Sequence, residues 1–257
     1  MKFFVCIKQV PDTETKIRIN SESNGIDTST IKWIINPYDE YAIEEAIKLK
    51  ESTPNSSVTV LTVGPKKRAS EVLRTALAMG ADDGILIDAI ENIDSLLTAE
   101  LIASVIKAEA PFDLIFVGKS SIDNNASSVG PMVAQLLSIP HASAISKLSL
   151  DSNKITVERE VDGGTKEILQ IQIPALVTTT KGLNTPRYAS LPGIMKAKKK
   201  QLKEIEISNL NIDLKAKTNL INFRMPQETP AIKILTGEIS QQVSELVRLL
   251  RDEAKVL

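Results

Sequence analysis

The chain has 257 residues, 42% of them hydrophobic and 25% charged, with a formal net charge of −1. This composition suits a globular domain whose core is large enough to need no staples, and a charge near zero argues against bulk nucleic-acid binding. One cysteine, Cys6, and one histidine, His141, exclude an internal disulfide, fit a reducing compartment and leave no zinc ligand set.

The opening MKFFVCIKQV holds too short an apolar run for a secretion signal and reads as a buried strand over 3–10. No apolar run reaches the ~18 residues of a membrane span. A helix is expected over 38–50, with Ala42, Ile43, Ala46, Ile47 and Leu49 inward and Glu44, Glu45 and Lys48 outward. Short apolar strands follow over 58–63, 84–87 and 113–117. Between and after them come amphipathic helices over 69–79, 96–108 and 131–137. Strand–helix alternation of this kind predicts an α/β fold: a doubly wound, mostly parallel sheet with helices on both faces.

From about residue 143 the pattern changes. Two alternating runs, 154–161 and 165–173, flank Asp162-Gly163-Gly164 and predict a β-hairpin. "PALVTTT" (174–180) reads as one more buried strand. Residues 168–203 then carry seven Lys/Arg and no Asp/Glu. Pro186, Pro192 and Gly193 rule out a plain helix in the first half of 183–201, while 195–200 is short, basic and helix-friendly. Residues 204–237 are weakly patterned. Leu210, Ile212, Leu214, Leu220, Ile221 and Phe223 are too apolar for disorder, so an arm packed on something else is expected. A helix over 238–256 carries Ile239, Val243, Leu246, Val247 and Leu250 as a stripe. The expected division is a domain over 1–203 and an arm over 204–257.

Ligands of parallel sheets bind at the carboxyl ends of strands. Three segments occupy such positions. Asn36-Pro37-Tyr38-Asp39-Glu40 reads first as a well-capped helix start. Gly64 would let a ligand approach the backbone, but Gly64-Pro65 is equally a turn. The third is Gly118, Lys119, Ser120, Ser121, Ile122, Asp123, Asn124, Asn125, Ala126, Ser127, Ser128, Val129 and Gly130. It follows a strand, precedes a helix and is rich in hydroxyls and amides, which suits either a phosphate or a plain solvated loop. There is no GxxxxGK[ST] and no GxGxxG. His141 has no Ser or Cys motif near it. The chain offers binding loops without a chemical engine, which points to a carrier or a subunit.

The stretch "LNTPRYASLPGIMKAKKK" resembles the signature of the beta (small) subunits of electron transfer flavoproteins. "VCIKQVPD", "NPYDEYAIEEAIKLKE", "RTALAMGAD" and "LIFVGKSSIDNNASSVGPM" extend the resemblance over nearly the whole chain. It implies an adenine nucleotide alpha hydrolase-like fold and a heterodimer with a larger alpha subunit, on which the C-terminal arm packs and which holds most of the FAD. It implies a structural AMP in this chain, contacted at Cys6, at Asn36, Pro37, Tyr38 and Asp39, at Val63, and along the loop Lys119 to Gly130. Electrons would arrive from flavin dehydrogenases such as acyl-CoA dehydrogenase, as in fatty acid oxidation, and leave to a quinone reductase or similar acceptor. The implied location is cytoplasmic, or the mitochondrial matrix in a eukaryote. Leu191, Pro192, Ile194 and Met195 correspond to the family's recognition loop, with the lysines as guides to acidic partners.

The sequence departs from the family pattern in places. Asn124-Asn125 stands where many members have consecutive aspartates, Ser128 where many have glutamine, and Thr13 where a tyrosine often faces the flavin. One branch of the family binds a second FAD in place of AMP; the loop here shares only the ending "VGP" with that branch, so AMP is the expected ligand. A stand-alone ATP-binding, stress-type α/β protein would share the core but would not explain the arm. Nucleic-acid binding through residues 196–200 lacks interleaved aromatics.

Overall fold

Phe3 and Val5 face one side of a sheet, Phe4 and Cys6 face the other, and both sides are dry. A strand with no solvent face needs no polar alternation, which is why this run is continuously apolar. The computed structural model describes residues 1–22, 25–91, 93–213, 215–227 and 231–257. Its elements begin with β1 (Lys2–Cys6), β2 (Gln9–Pro11), β3 (Trp33–Ile35), α1 (Pro37–Ser52), β4 (Ser57–Gly64), α2 (Lys66–Met79), β5 (Asp83–Asp88), α3 (Ser95–Ala108), β6 (Leu114–Gly118) and α4 (Val129–Leu137). They continue with β7 (His141–Asp151), β8 (Lys154–Val161), β9 (Thr165–Gln172), β10 (Ala175–Thr179), α5 (Leu191–Lys199), β11 (Lys203–Glu206) and α6 (Ile239–Arg248).

Among the described residues the main sheet has nine strands, in the order β11-β5-β4-β1-β6-β10-β7-β8-β9. The strands from β11 to β7 run parallel, and β8 and β9 add an antiparallel hairpin. Helices α1 and α2 pack on the face of Phe3 and Val5; α3 and α4 pack on the face of Phe4 and Cys6. The fold is therefore the expected doubly wound α/β sheet. Strand order reverses between β1 and β6, since β4 and β5 extend one way and β10 the other. That switch point is where open α/β sheets leave a crevice for ligands.

Local chemistry explains the helix ends. Asp94 accepts the Leu97 amide at 2.7 Å and starts α3. Pro37 occupies the first turn of α1, with Asp39 and Glu40 beside the positive end of the helix dipole. Gly80, at φ 135°, ends α2 where a side chain would be strained.

Four expectations change. The strand expected over 3–10 stops at Cys6. The Ile7 amide still donates to Leu61 O at 2.9 Å, but the Lys8 amide turns to Asp39 Oδ2 at 2.7 Å, and Gln9–Pro11 pairs with Trp33–Ile35 in a separate two-stranded sheet. Glu44 and Glu45, expected on the outer face of α1, are buried, because residues 184–187 lie over them and supply their partners. Strand β7 was not expected; its small and polar residues hide its period. Leu191, expected in an extended loop ahead of Pro192, opens α5. The Gly193 amide donates to Ser190 Oγ at 3.1 Å, and Pro192 needs no partner in a first turn.

The chain after residue 203 behaves in two ways. Lys203–Glu206 pairs in parallel with β5, and Ile205, Ile207, Leu210, Ile212 and Ala216 pack on the α3/α4 face. β5 would otherwise be an open sheet edge. This part of the expected arm therefore serves the chain's own core. Leu214 lies outside the described residues. Met1–Phe223 form one compact unit and Arg224–Leu257 another. Taken by itself, the second unit holds α6 and a π-helical turn (Leu249–Glu253), with Ile239, Val243 and Leu246 exposed. No helix among the described residues is long and apolar enough to cross a membrane.

Candidate functional site

The carboxyl ends of β1, β4 and β6 bring Cys6, Val63–Gly64 and Gly118 to one edge of the sheet. Asp39 ties this edge together. Its Oδ1 accepts from the Gly118 amide at 3.0 Å and from Asn36 Nδ2 at 3.0 Å, and its Oδ2 accepts from the Lys8 amide at 2.7 Å. The carboxyl is almost wholly buried. Burial pushes its pKa up to about 7, outweighing the donated hydrogen bonds and the charge of Lys8.

Asn36 precedes α1 but does not cap it with its side chain. Instead its Nδ2 donates to Ser120 O at 2.9 Å and its Oδ1 accepts the Ile122 amide at 3.1 Å. The residue that reads as an N-cap is thus a splint for the loop after β6. Tyr38 also serves that edge: its carbonyl accepts from Thr179 Oγ1 at 2.9 Å, and the Lys119 ammonium lies 4.8 Å from its ring centroid.

The rest of the loop is shaped by its own side chains. Ser121 Oγ donates to Asn124 Oδ1 at 2.9 Å, which also accepts the Ala126 amide at 3.2 Å. Asn125 and Ser127 both have φ near +51°. Asp123 pairs with Lys8 Nζ at 2.6 Å. Ser128 precedes α4 without a side-chain cap, so among the described residues no side chain takes the first amides of the helix, at Val129 and Gly130. Gly130 is held against β10: a β-carbon there would lie 2.8 Å from Thr178 Cγ2.

The structure thus joins Asn36 and Asp39 directly to Gly118, Ser120 and Ile122 and sets Cys6 and Val63 on the neighbouring strands β1 and β4. Cys6 is buried and the pKa of its thiol is pushed upward, by desolvation first and by Asp39 second, which disfavours the thiolate. Gly118 opens the loop segment singled out from the sequence, whereas Lys8 and Thr179 were not singled out. A lysine interrupting the apolar run of the expected first strand was the available signal for Lys8.

Leu191, Pro192, Ile194 and Met195 belong to a different surface, on α5. That helix is seated on α2: Ala197 is buried, and Arg74 Nη1 donates to Ala197 O at 2.5 Å and also to Lys200 O. A β-carbon on Gly193 would lie 2.3 Å from Ala78 O, so the helix lies close upon α2 there. Leu191 is 72% exposed and Met195 61%. Lys200 is not free to meet a partner, because its ammonium donates to Ala81 O and Asp82 O at 2.9 and 2.5 Å. Among the described residues no cluster of His, Cys, Asp and Glu could hold a metal.

The family pattern described as "Electron transfer flavoprotein domain" matches residues 24–210. The chain is 44% identical to "Electron transfer flavoprotein subunit beta" of Bacillus subtilis, over 100% of both chains. It is 40% identical to the mitochondrial beta subunit of Arabidopsis thaliana over 100% of both. With the human beta subunit the identity is 39%, over 93% of this chain and 94% of the relative. A match over most of the chain and relatives aligned end to end place the chain in the electron transfer flavoprotein family, among its beta subunits.

Proposed function

We propose that this chain is the nucleotide-holding partner in a heterodimeric electron carrier, joined to an alpha subunit that holds most of the FAD. The FAD, when bound, supplies the electron-accepting and electron-donating chemistry. This chain's residues bind, orient and dock. Electrons enter from flavin dehydrogenases such as acyl-CoA dehydrogenase and leave to a quinone reductase or similar acceptor.

The observation that carries the reading is the tied loop at the β1/β6 switch point. Its backbone is fixed by Asn36 and Asp39, while Ser128 leaves the start of α4 without a side-chain cap. Such a set fits a phosphate at the helix start, with the rest of a mononucleotide along Lys119–Ser121 and the ends of β1 and β4. Of the two nucleotides the family resemblance offers, AMP is the one assigned here, because the loop shares only the ending "VGP" with the branch that binds a second FAD. The exposed apolar side chains of Leu191, Ile194 and Met195 support the docking role. The second unit, residues 224–257, supplies an apolar helix stripe suited to the alpha subunit.

The test is chemical. The heterodimer, co-expressed with its alpha subunit, is denatured and its small molecules are separated by chromatography. One AMP and one FAD per heterodimer is the expected result. Two FAD and no AMP would replace AMP with a second flavin in this loop, and no adenine nucleotide in either form would end the reading.

A further inference from the structure

We propose that Glu44 is a positioning residue that, through Arg187, sets the exposed tip formed by Leu191, Ile194 and Met195 for capture by an electron-transfer partner. The inference rests on the docking role proposed above for that tip.

The segment leading into the tip has no scaffold of its own. Among the described residues, no backbone–backbone hydrogen bond involves residues 184–189. Side chains of α1 hold it instead. Glu44 accepts three hydrogen bonds from one residue: Arg187 Nε at 2.8 Å, Nη2 at 3.0 Å and the backbone amide at 3.1 Å. The remaining reach of the guanidinium goes to Glu51, at 2.6 and 3.1 Å. Asn184 Nδ2 adds a second tie, to Tyr41 O at 3.0 Å and Glu45 Oε2 at 2.8 Å.

Glu44 is only 5% exposed. A carboxylate costs desolvation at such a place and gives little net stability even when paired, so stability alone is a weak reason for it. A fork onto a planar guanidinium fixes direction as well as distance. At its other end the tip is fixed to α2 through Arg74 and the close seat of Gly193 on Ala78. The apolar side chains are therefore strung between two anchors and remain largely or partly exposed, Leu191 and Met195 most of all. Holding them in place lowers the ordering cost that docking would otherwise meet.

The experiment uses the heterodimer with its alpha subunit and an acyl-CoA dehydrogenase chosen because it reduces the wild type. Flavin reduction is followed against heterodimer concentration for wild type, Glu44→Gln, Leu191→Ala and the double variant. Glu44→Gln is expected to raise the half-saturating concentration roughly tenfold, with turnover at saturation and AMP content unchanged. In the Leu191→Ala background it should add less than about twofold, because the group to be positioned is gone. Amide exchange at Arg187 should quicken without any partner present. Arg187→Gln should give the same pattern and replaces Glu44→Gln if that variant does not assemble. An equal effect in both backgrounds, or a loss of turnover without a shift in half-saturation, overturns the proposal. If Leu191→Ala shifts half-saturation and Glu44→Gln does not, the positioning role alone falls. If Leu191→Ala shifts nothing, the docking reading falls and takes this proposal with it.

Discussion

The Gly118 amide donates to Asp39 Oδ1 at 3.0 Å, and a β-carbon on Gly118 would lie 2.2 Å from the same oxygen. Tyr38 Cβ and the Asp39 amide would stand at 2.9 and 3.0 Å. The end of β6 thus meets the first turn of α1 with no room for a methyl group. Gly118→Ala is expected to destabilise the chain by about 1–3 kcal/mol, the usual cost of forcing extra volume into a packed site. Thermal unfolding measures it, and an unchanged melting temperature would show that α1 is not seated as described.

Asp39 makes stability depend on pH in an uncommon direction. Its pKa is raised from 3.8 to about 7 in the folded chain, chiefly by desolvation. Between those values the folded state holds a proton that the unfolded state has lost. Its contribution is fully present below the unfolded pKa and is lost as pH rises through 7, with a slope of at most about 1.4 kcal/mol per pH unit. Asp39→Asn, which cannot titrate, should flatten this part of the curve. Melting temperatures of both proteins at pH 5, 6, 7 and 8 test it. Curves that stay parallel would mean that Asp39 is ionised throughout.

Leu191 contributes little to the fold, being 72% exposed, and burying such a side chain in a partner contributes about 1.5–3 kcal/mol. Leu191→Ala is expected to weaken dehydrogenase binding roughly tenfold to a hundredfold and to leave the melting temperature unchanged. Lys198, exposed on the same helix, should act on association rate: Lys198→Glu slows association and alters its salt dependence. Stopped-flow flavin reduction at two salt concentrations separates the two effects. A drop in melting temperature with unchanged concentration dependence would place Leu191 in the core.

Truncation after Phe223 should leave the first compact unit folded and abolish assembly with the alpha subunit. Truncation after Lys203 should do more damage, because it removes most of β11 and strips Ile205, Ile207, Leu210 and Ile212 from the core. Size exclusion of the co-expressed subunits, with thermal unfolding of each truncated chain, tests the pair. Full-yield heterodimer from the Phe223 truncation would remove the C-terminal unit from the interface.

The fold class was legible because it rests on local periodicity. Nearly continuous apolar runs at 58–63 and 113–117 have no regular polar phase, as expected of strands buried on both faces, and the helices between them show their stripes. The loop from Lys119 to Gly130 was legible as a link between a strand and a helix, since its small polar residues interrupt both apolar patterns. The role of Asn36 was not. In sequence it is a helix cap, and only the arrival of residues 120–122, more than 80 positions later, turns its amide into a splint. Glu44 misled for the same reason. Helical period alone puts it in water, and an arginine 143 residues away takes it out. The residues after 203 looked like an arm because a single edge strand carries no period of its own. Periodicity along the chain thus determined the sheet, its helices and the place of the loop. Which polar groups are buried, and what they hold, was decided by partners distant in sequence, because a hydrogen bond or ion pair across the fold leaves no mark on the local pattern of either residue.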